Sequence, residues 1–387
     1  MIAYDYIIAG GGCAGLSLAF HLLQSPLQQK KVLIVDRSPK NSNDRTWSFW
    51  AEKPTLFEEI MYKSWQQLEF KSSGFTQTFD LGNWRYNMIR GVDFYEFVIP
   101  KLQQNPNIDW VFGEIEAIDS DSEKAWLEVN GEKYTGNWLF DSTFSASTFE
   151  KNETKYHYLQ QHFKGYVINT NKAIFNPDLP VLFDFNIPQE EEVRFVYILP
   201  DSSTKALVEF TIFSNNLLKE EAYDEHLKAY LKDNLGLEKY EVEEVEFGVI
   251  PMTDHPLPQR SDAQKRIMNI GTKGGQSKPS SGYTFWRIQV DCEQIVASLQ
   301  KSGEPFYPSI SPKRFRLFDS MLLNIMHRQG GLIRPIFVEM FKNNPIERIF
   351  RFLNEESSLS EDLQVMASVP PRPFLKALWR LKVKNEL

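Results

Sequence analysis

No stretch of this 387-residue sequence approaches the ~20 consecutive apolar residues that a membrane-spanning helix requires. The apolar run Tyr6–Ala9 leads into glycines and lacks a basic lead-in, which argues against a secretory signal. Cysteine is nearly absent. Cys13 and Cys292 are too few and too far apart for a disulfide framework or a zinc site, so both are expected to be structural residues of a cytoplasmic protein. The six histidines show no ligand spacing, and no metal is assigned. Positive charge is short as well. Lys and Arg number 43 against 51 Asp and Glu, a net charge of −8, whereas a nucleic-acid partner calls for a basic footprint.

What the sequence has is apolar and aromatic. Hydrophobic residues make up 42% and aromatics 14%, with 29 Phe and 9 Trp. Such a surplus fills a core or lines a long apolar pocket. The length exceeds one small core and points to two domains, or to one α/β body with an insertion.

The N-terminus carries the firmest motif. Tyr4–Ala9 is a short β-rich run, as a buried parallel strand should be. Gly10, Gly12 and Gly15 follow as G-x-G-x-x-G, and Leu16, Ala19, Leu22 and Leu23 then mark one apolar helix face. Lys31–Val35 is a second strand, closed by Asp36. In a dinucleotide-binding βαβ unit each part has a task. Gly10 permits the turn, Gly12 lets backbone approach the pyrophosphate, and Gly15 lets helix pack on strand. The helix N-terminus offers free N–H groups to phosphate, and Asp36 stands where an acid bonds a ribose hydroxyl.

Downstream, a compact NAD domain would continue with regular helices and strands. Residues 37–85 are instead irregular in places, before a helix-like segment Asp93–Leu102. Strand-like stretches DWVFGEIEAID, KAWLEV and EKYTGNWLFDS follow, the last two joined at Asn130-Gly131. This order resembles the FAD domains of aromatic hydroxylases. A second glycine cluster, with Gly271, Gly274, Gly275 and Gly282, lies between a strand and a helix through Val296 and Leu299, whose N-terminus near Ser281–Gly282 is placed to face flavin or phosphate. The hydroxylase pattern has an Asp after the first of these glycines; this sequence has Thr272. Arg45 and Arg90 are candidates for the pyrophosphate or for ordinary surface salt bridges.

Several further segments, in collinear order, resemble the bacterial lycopene cyclases. They are NDRTWSFW (Asn43–Trp50), RFVYILP and ALVEFT (Arg194–Pro200 and Ala206–Thr211), GGQSKPSSGYTF (Gly274–Phe285), and the stretch Phe341–Leu375. The resemblance implies conversion of the acyclic ψ-ends of lycopene, or of γ-carotene, into β-ionone rings, with reduced FAD, NADPH as reductant and no net redox change. It implies Glu209 as acid/base residue, the first acid of an L-x-E-[ED]-T strand motif whose second acid is Phe210 here. Asp184, in VLFDF, resembles the acid of another family motif.

The chemistry suits these residues. Protonating an alkene needs a neutral, desolvated acid, and burial raises a carboxyl pKa. Glu209 lies in the apolar strand Leu207–Thr211 and by alternation shares a face with Leu207 and Thr211. A buried Glu is unusual unless paired or functional. Trp47, Phe49, Phe183, Phe185 and Phe210 are candidate pocket walls, each able to attract a cation by about 0.5–2 kcal/mol. The expected fold is α/β: a Rossmann-type FAD-binding domain of the aromatic-hydroxylase kind (1–70, 86–150 and 262–305), a β-sheet substrate domain (71–85 and 151–261) and a helical C-terminal region (306–387). Residues 313–354 and 372–384 show helical spacing with interspersed Lys and Arg, ending in KALWRLKVK (Lys376–Lys384). Such a face suits a peripheral site on the inner membrane surface, or plain solvent. A flavin monooxygenase or reductase with an apolar substrate, and a carotenoid or flavin carrier, stand as the other readings.

Overall fold

The computed structural model describes residues 3–144, 156–260, 265–308 and 311–383. The expected boundaries at 150/151 and 261/262, and Lys384 of the basic segment, lie outside these residues.

The nucleotide motif folds as its pattern requires. Strand Ala3–Ala9 feeds helix Cys13–Leu23, and strand Val32–Asp36 returns parallel to the first. Both strands sit in a seven-stranded sheet. Glu132–Asp141 runs parallel to Ala3–Ala9 on its other side, and Ile267–Asn269 lies parallel beyond it. The meander Ile115–Ser120, Ala125–Val129, Glu132–Asp141 is antiparallel, and Asn130 and Gly131, both at positive φ, make its tight turn.

One strand was expected over DWVFGEIEAID; there are two. Ile108–Phe112 extends the parallel sheet beyond Val32–Asp36, whereas Ile115–Ser120 closes the opposite edge. The break falls at Gly113, whose N–H bonds the Asp36 carbonyl and where a side chain would run into Asn130 and Val129.

A second seven-stranded sheet runs Glu241–Thr253, Tyr158–Asn169, Lys205–Ser214, Val193–Pro200, Val181–Asp184, Gln67–Ser72, Phe75–Asp80. Its hairpin Gln67–Asp80 begins four residues before position 71, within the segment expected to belong to the nucleotide domain. Lys205–Ser214 is central and buried on both faces, which is why it reads as a nearly continuous apolar run. Helix Glu220–Asp233 covers one face of this sheet through Tyr223, Leu227, Tyr230 and Leu231. The other face packs Phe70, Phe183, Phe185 and Phe195 against Phe337 and Phe341 of the C-terminal helices. A three-stranded sheet, with Arg85–Arg90 between Thr46–Ala51 and Lys63–Trp65, joins the two bodies.

The C-terminal region is helical: Lys313–Gln329, Ile333–Asn343, Ile346–Leu353, Leu359–Ser368 and Pro371–Val383. Leu359–Ser368 escaped the periodicity reading, although Ser358 and Glu361 carry the capping-box spacing and make both of its bonds. No helix among the described residues is long and apolar enough to cross a membrane.

Candidate active site

A cavity of about 850 Å³ opens where the two large sheets and the small one meet. Its volume lies at the upper end of the range for ligand sites, about 300–1,000 Å³.

At one end are the C-terminal edge of the parallel sheet and the start of helix Cys13–Leu23, with Gly10, Gly12 and Asp36 in the wall. No side chain caps that helix, and its first turn holds no acid, so its leading N–H groups face the cavity. Gly15 stands just behind. A Cβ there would lie 1.9 Å from the Gly10 carbonyl oxygen, so the helix reaches this position only with glycine. Asp36 accepts the Gly11 N–H at 2.6 Å and pairs with Lys40 at 3.0 Å. These features fit a dinucleotide: free N–H groups for a pyrophosphate and an acid for a ribose.

Arg45 lines the same cavity and pairs with Asp44 at 3.1 Å. Arg90 does not. It stands at the start of its helix, donating to both oxygens of Asp93 at 2.7 and 2.6 Å and lying over the Tyr62 ring. Cys13 borders the cavity, but burial pushes its thiol up to about 12, so it stays an inert side chain.

The second glycine loop forms the opposite wall. Gly271, Thr272 and Gly282 face the cavity, whereas Gly274 and Gly275 shape the loop behind them. The helix that follows begins at Phe285, three residues later than expected, with Thr284 at its uncapped N-terminus. Lys278 of this loop is buried, bonding Asp319 at 3.0 Å and Glu355 at 2.9 Å, so the loop is tied to the C-terminal helices by an ion cluster.

Glu209 lines the far end. It is only 9% exposed, and its Oε1 accepts the Thr211 hydroxyl at 2.8 Å, on the face it shares with Leu207. Tyr197 stands directly opposite it on the adjacent strand, and buried Tyr86 and half-buried Tyr283 complete a group of phenols. Burial, and secondarily the charge of Glu246, push the Glu209 carboxyl up to about 8, against the Thr211 bond that pulls it down. Burial also drives Tyr86, Tyr197 and Tyr283 well above the ordinary phenol range, so they remain neutral. The Gln161 Oε1 and the Ser281 hydroxyl are buried without protein partners at this cavity. Buried polar atoms of this kind are what a polar ligand satisfies.

Asp184 is elsewhere. Cross-strand pairing sets it beside Val196, on the sheet face under helix Glu220–Asp233, where Tyr230 donates to it at 2.6 Å. The same alternation turns Phe210 away from the cavity and onto His226 of that helix. Phe183 and Phe185 belong to the core beneath the C-terminal helices, and Phe49 stacks on Phe285. Of the five expected walls only Trp47 borders the cavity, joined by Tyr86, Phe163, Tyr197, Tyr283 and Phe285.

Sequence reasoning missed Glu246 altogether. It lies in the acidic segment Glu241–Phe247, which reads as a solvated strand edge, yet it borders the cavity and accepts the Thr46 N–H at 2.6 Å. Only strand pairing discloses it.

Comparison with known proteins agrees with this architecture. A lycopene beta-cyclase of Pantoea ananas is 22% identical over 97% of this chain and 97% of its own length. Among solved structures, a flavin-dependent brominase superposes with a TM-score of 0.63 at 13% identity, covering 99% of this chain and 100% of the other. An HpxO variant from Klebsiella pneumoniae, solved with FAD, gives 0.62 at 12% identity, over 95% and 100% of the two chains. At these identities the structures establish the fold. Residues 5–379 match the family described as lycopene cyclase protein, and the chain belongs to that family.

Proposed function

We propose that this protein is a lycopene β-cyclase, an FAD-dependent enzyme of the intramolecular lyase or isomerase class, with NADPH as reductant. The observation that carries the reading is a buried, protonatable carboxyl, Glu209, in the same cavity as a dinucleotide-binding helix N-terminus.

Gly10, Gly12 and the first turn of helix Cys13–Leu23 would hold the FAD pyrophosphate, Asp36 the ribose, and Arg45, Thr272 and Gly282 the remainder of the cofactor. Reduced FAD held by these residues would supply negative charge to the cavity. Glu209 acts as the neutral acid. Its proton passes to the terminal alkene, whose π pair becomes a C–H bond and leaves a tertiary cation. The neighbouring double bond closes the ring with a new C–C bond. A ring C–H then yields its proton to the Glu209 carboxylate, and its electron pair restores a double bond. Atoms and electrons balance, so the product is an isomer of the substrate. Trp47, Tyr86, Tyr197 and Tyr283 line the cavity, and their rings would stabilise the cation and exclude water from it.

The substrate would come from a bilayer. Helix Pro371–Val383 exposes Leu375, Trp379 and Val383, with Arg372, Lys376 and Lys382 on the same helix. Helix Leu359–Ser368 exposes Leu359, Leu363 and Met366. Apolar side chains among basic ones suit the anionic inner face of a membrane.

The test is expression in bacteria that accumulate lycopene, with pigments separated by chromatography. Cyclised pigment is expected from the native chain and from Asp184→Asn, but not from Glu209→Gln, which should keep its flavin. Unchanged lycopene in the presence of flavin-loaded native protein overturns the reading. Stoichiometric NADPH and oxygen consumption would favour a monooxygenase instead.

A further inference from the structure

Glu209 faces a second carboxyl across a residue without a side chain. Gly165, in strand Tyr158–Asn169, pairs with Glu209 on one side and with Glu246 on the other. Directly opposed residues of a ladder point to the same face, so both acids rise from the cavity face, one on either side of Gly165. The two outer strands are about 9.5 Å apart, twice the usual strand spacing. A Cβ on Gly165 would lie 2.9 Å from Leu207 Cδ1, 3.3 Å from Glu209 Cβ and 3.4 Å from its Cγ. The Glu209 stem therefore enters, beside the Leu207 side chain, the space that Gly165 leaves between the two acid-bearing strands.

The two acids have different surroundings. Glu246 is half-buried, accepts the Thr46 N–H, and has Arg45 nearby, with Asp44 beyond. Burial raises the Glu246 carboxyl above its ordinary value, and the Thr46 N–H and the Arg45 guanidinium work against that rise by favouring its charged form. Glu209 is buried and receives one hydroxyl bond, from Thr211. The other titratable groups facing it are phenols: Tyr197 from strand Val193–Pro200, Tyr86 from Arg85–Arg90 and Tyr283 from the glycine loop. Of the two acids Glu246 is the more exposed and the one beside a backbone N–H and a guanidinium, so it is the one that ionises first.

We propose that Glu246 is the positioning residue of the proton donor: its carboxylate, anchored on the Thr46 N–H, keeps Glu209 protonated and itself makes no bond to substrate. The proposal rests on the reading of Glu209 as the acid. It is consistent with the direction of the Glu209 shift, to which burial contributes most and Glu246 next. The pair keeps one proton before and after each turnover, so it needs no external acid or base.

The experiment follows cyclisation by full-length, FAD-loaded protein on lycopene-containing vesicles between about pH 6 and 9, where a neutral general acid is titrated away. Glu246→Gln is expected to match the native rate near the acid end. Its alkaline fall-off should move about one pH unit toward acid, making it about tenfold slower above the native midpoint. Glu246→Asp, which keeps the charge but withdraws it by one methylene, should shift less and in the same sense. A second readout needs no turnover. The infrared carbonyl band of the protonated carboxyl, identified by its loss in Glu209→Gln, should titrate about one unit lower in Glu246→Gln. A uniform loss of rate across pH, or an unshifted infrared midpoint, overturns the proposal. If the native protein forms no rings at any pH, the functional reading falls, while the infrared titration still decides the role of Glu246.

Discussion

Replacing Glu209 by Gln should stabilise the protein, by an amount that depends on pH in a calculable way. The Glu209 carboxyl stands at about 8 in the fold against an ordinary value of 4.5. In the folded protein it keeps its proton between those limits, whereas in the unfolded chain it ionises near 4.5. Stability is therefore full below the unfolded pKa, falls as pH rises, and levels off above the folded one. The slope is about 1.4 kcal/mol per pH unit, so the native protein loses about 3 kcal/mol between pH 5 and pH 7 through this group alone. Gln has the same shape, keeps an acceptor for the Thr211 hydroxyl, and does not titrate. Urea titrations of native and Glu209→Gln protein, both saturated with FAD, would compare stability at the two pH values. The variant should gain about 3 kcal/mol relative to native on going from pH 5 to pH 7. Parallel stabilities at both pH values would show that Glu209 ionises normally in the fold, and the argument for a neutral buried acid would fail. The expected result, a more stable but inactive protein, is the pattern of a residue kept for chemistry at the expense of stability.

Two further predictions concern the cofactor and the membrane. Gly15→Ala should be purified with far less than one flavin per chain, because its Cβ must push the Gly10 carbonyl out of the turn; full flavin content by absorbance would show that the turn is not a cofactor site. Leu375→Ser with Trp379→Ser should keep fold and flavin, since both side chains are exposed, while co-sedimentation with anionic vesicles falls about tenfold or more; unchanged sedimentation would mean that this helix face is simply solvated.

The sequence by itself determined what depends on local period and spacing. The βαβ unit and its glycines are legible because a turn, a helix start and a strand end lie within 36 residues, and each imposes its own residue type. Glu209 is legible because it is the one acid in a strand that is otherwise mostly apolar. The tertiary structure decided what depends on which strands become neighbours. Asp184 and Glu209 both sit in apolar strands, but pairing with Val196 turns Asp184 to the helix-covered face. Glu246 lies 37 positions beyond Glu209, in a segment that looks solvated, and becomes its partner only because both strands flank Gly165. A period of two tells which residues of one strand share a face; register between strands, set by packing over the whole sheet, tells which faces meet.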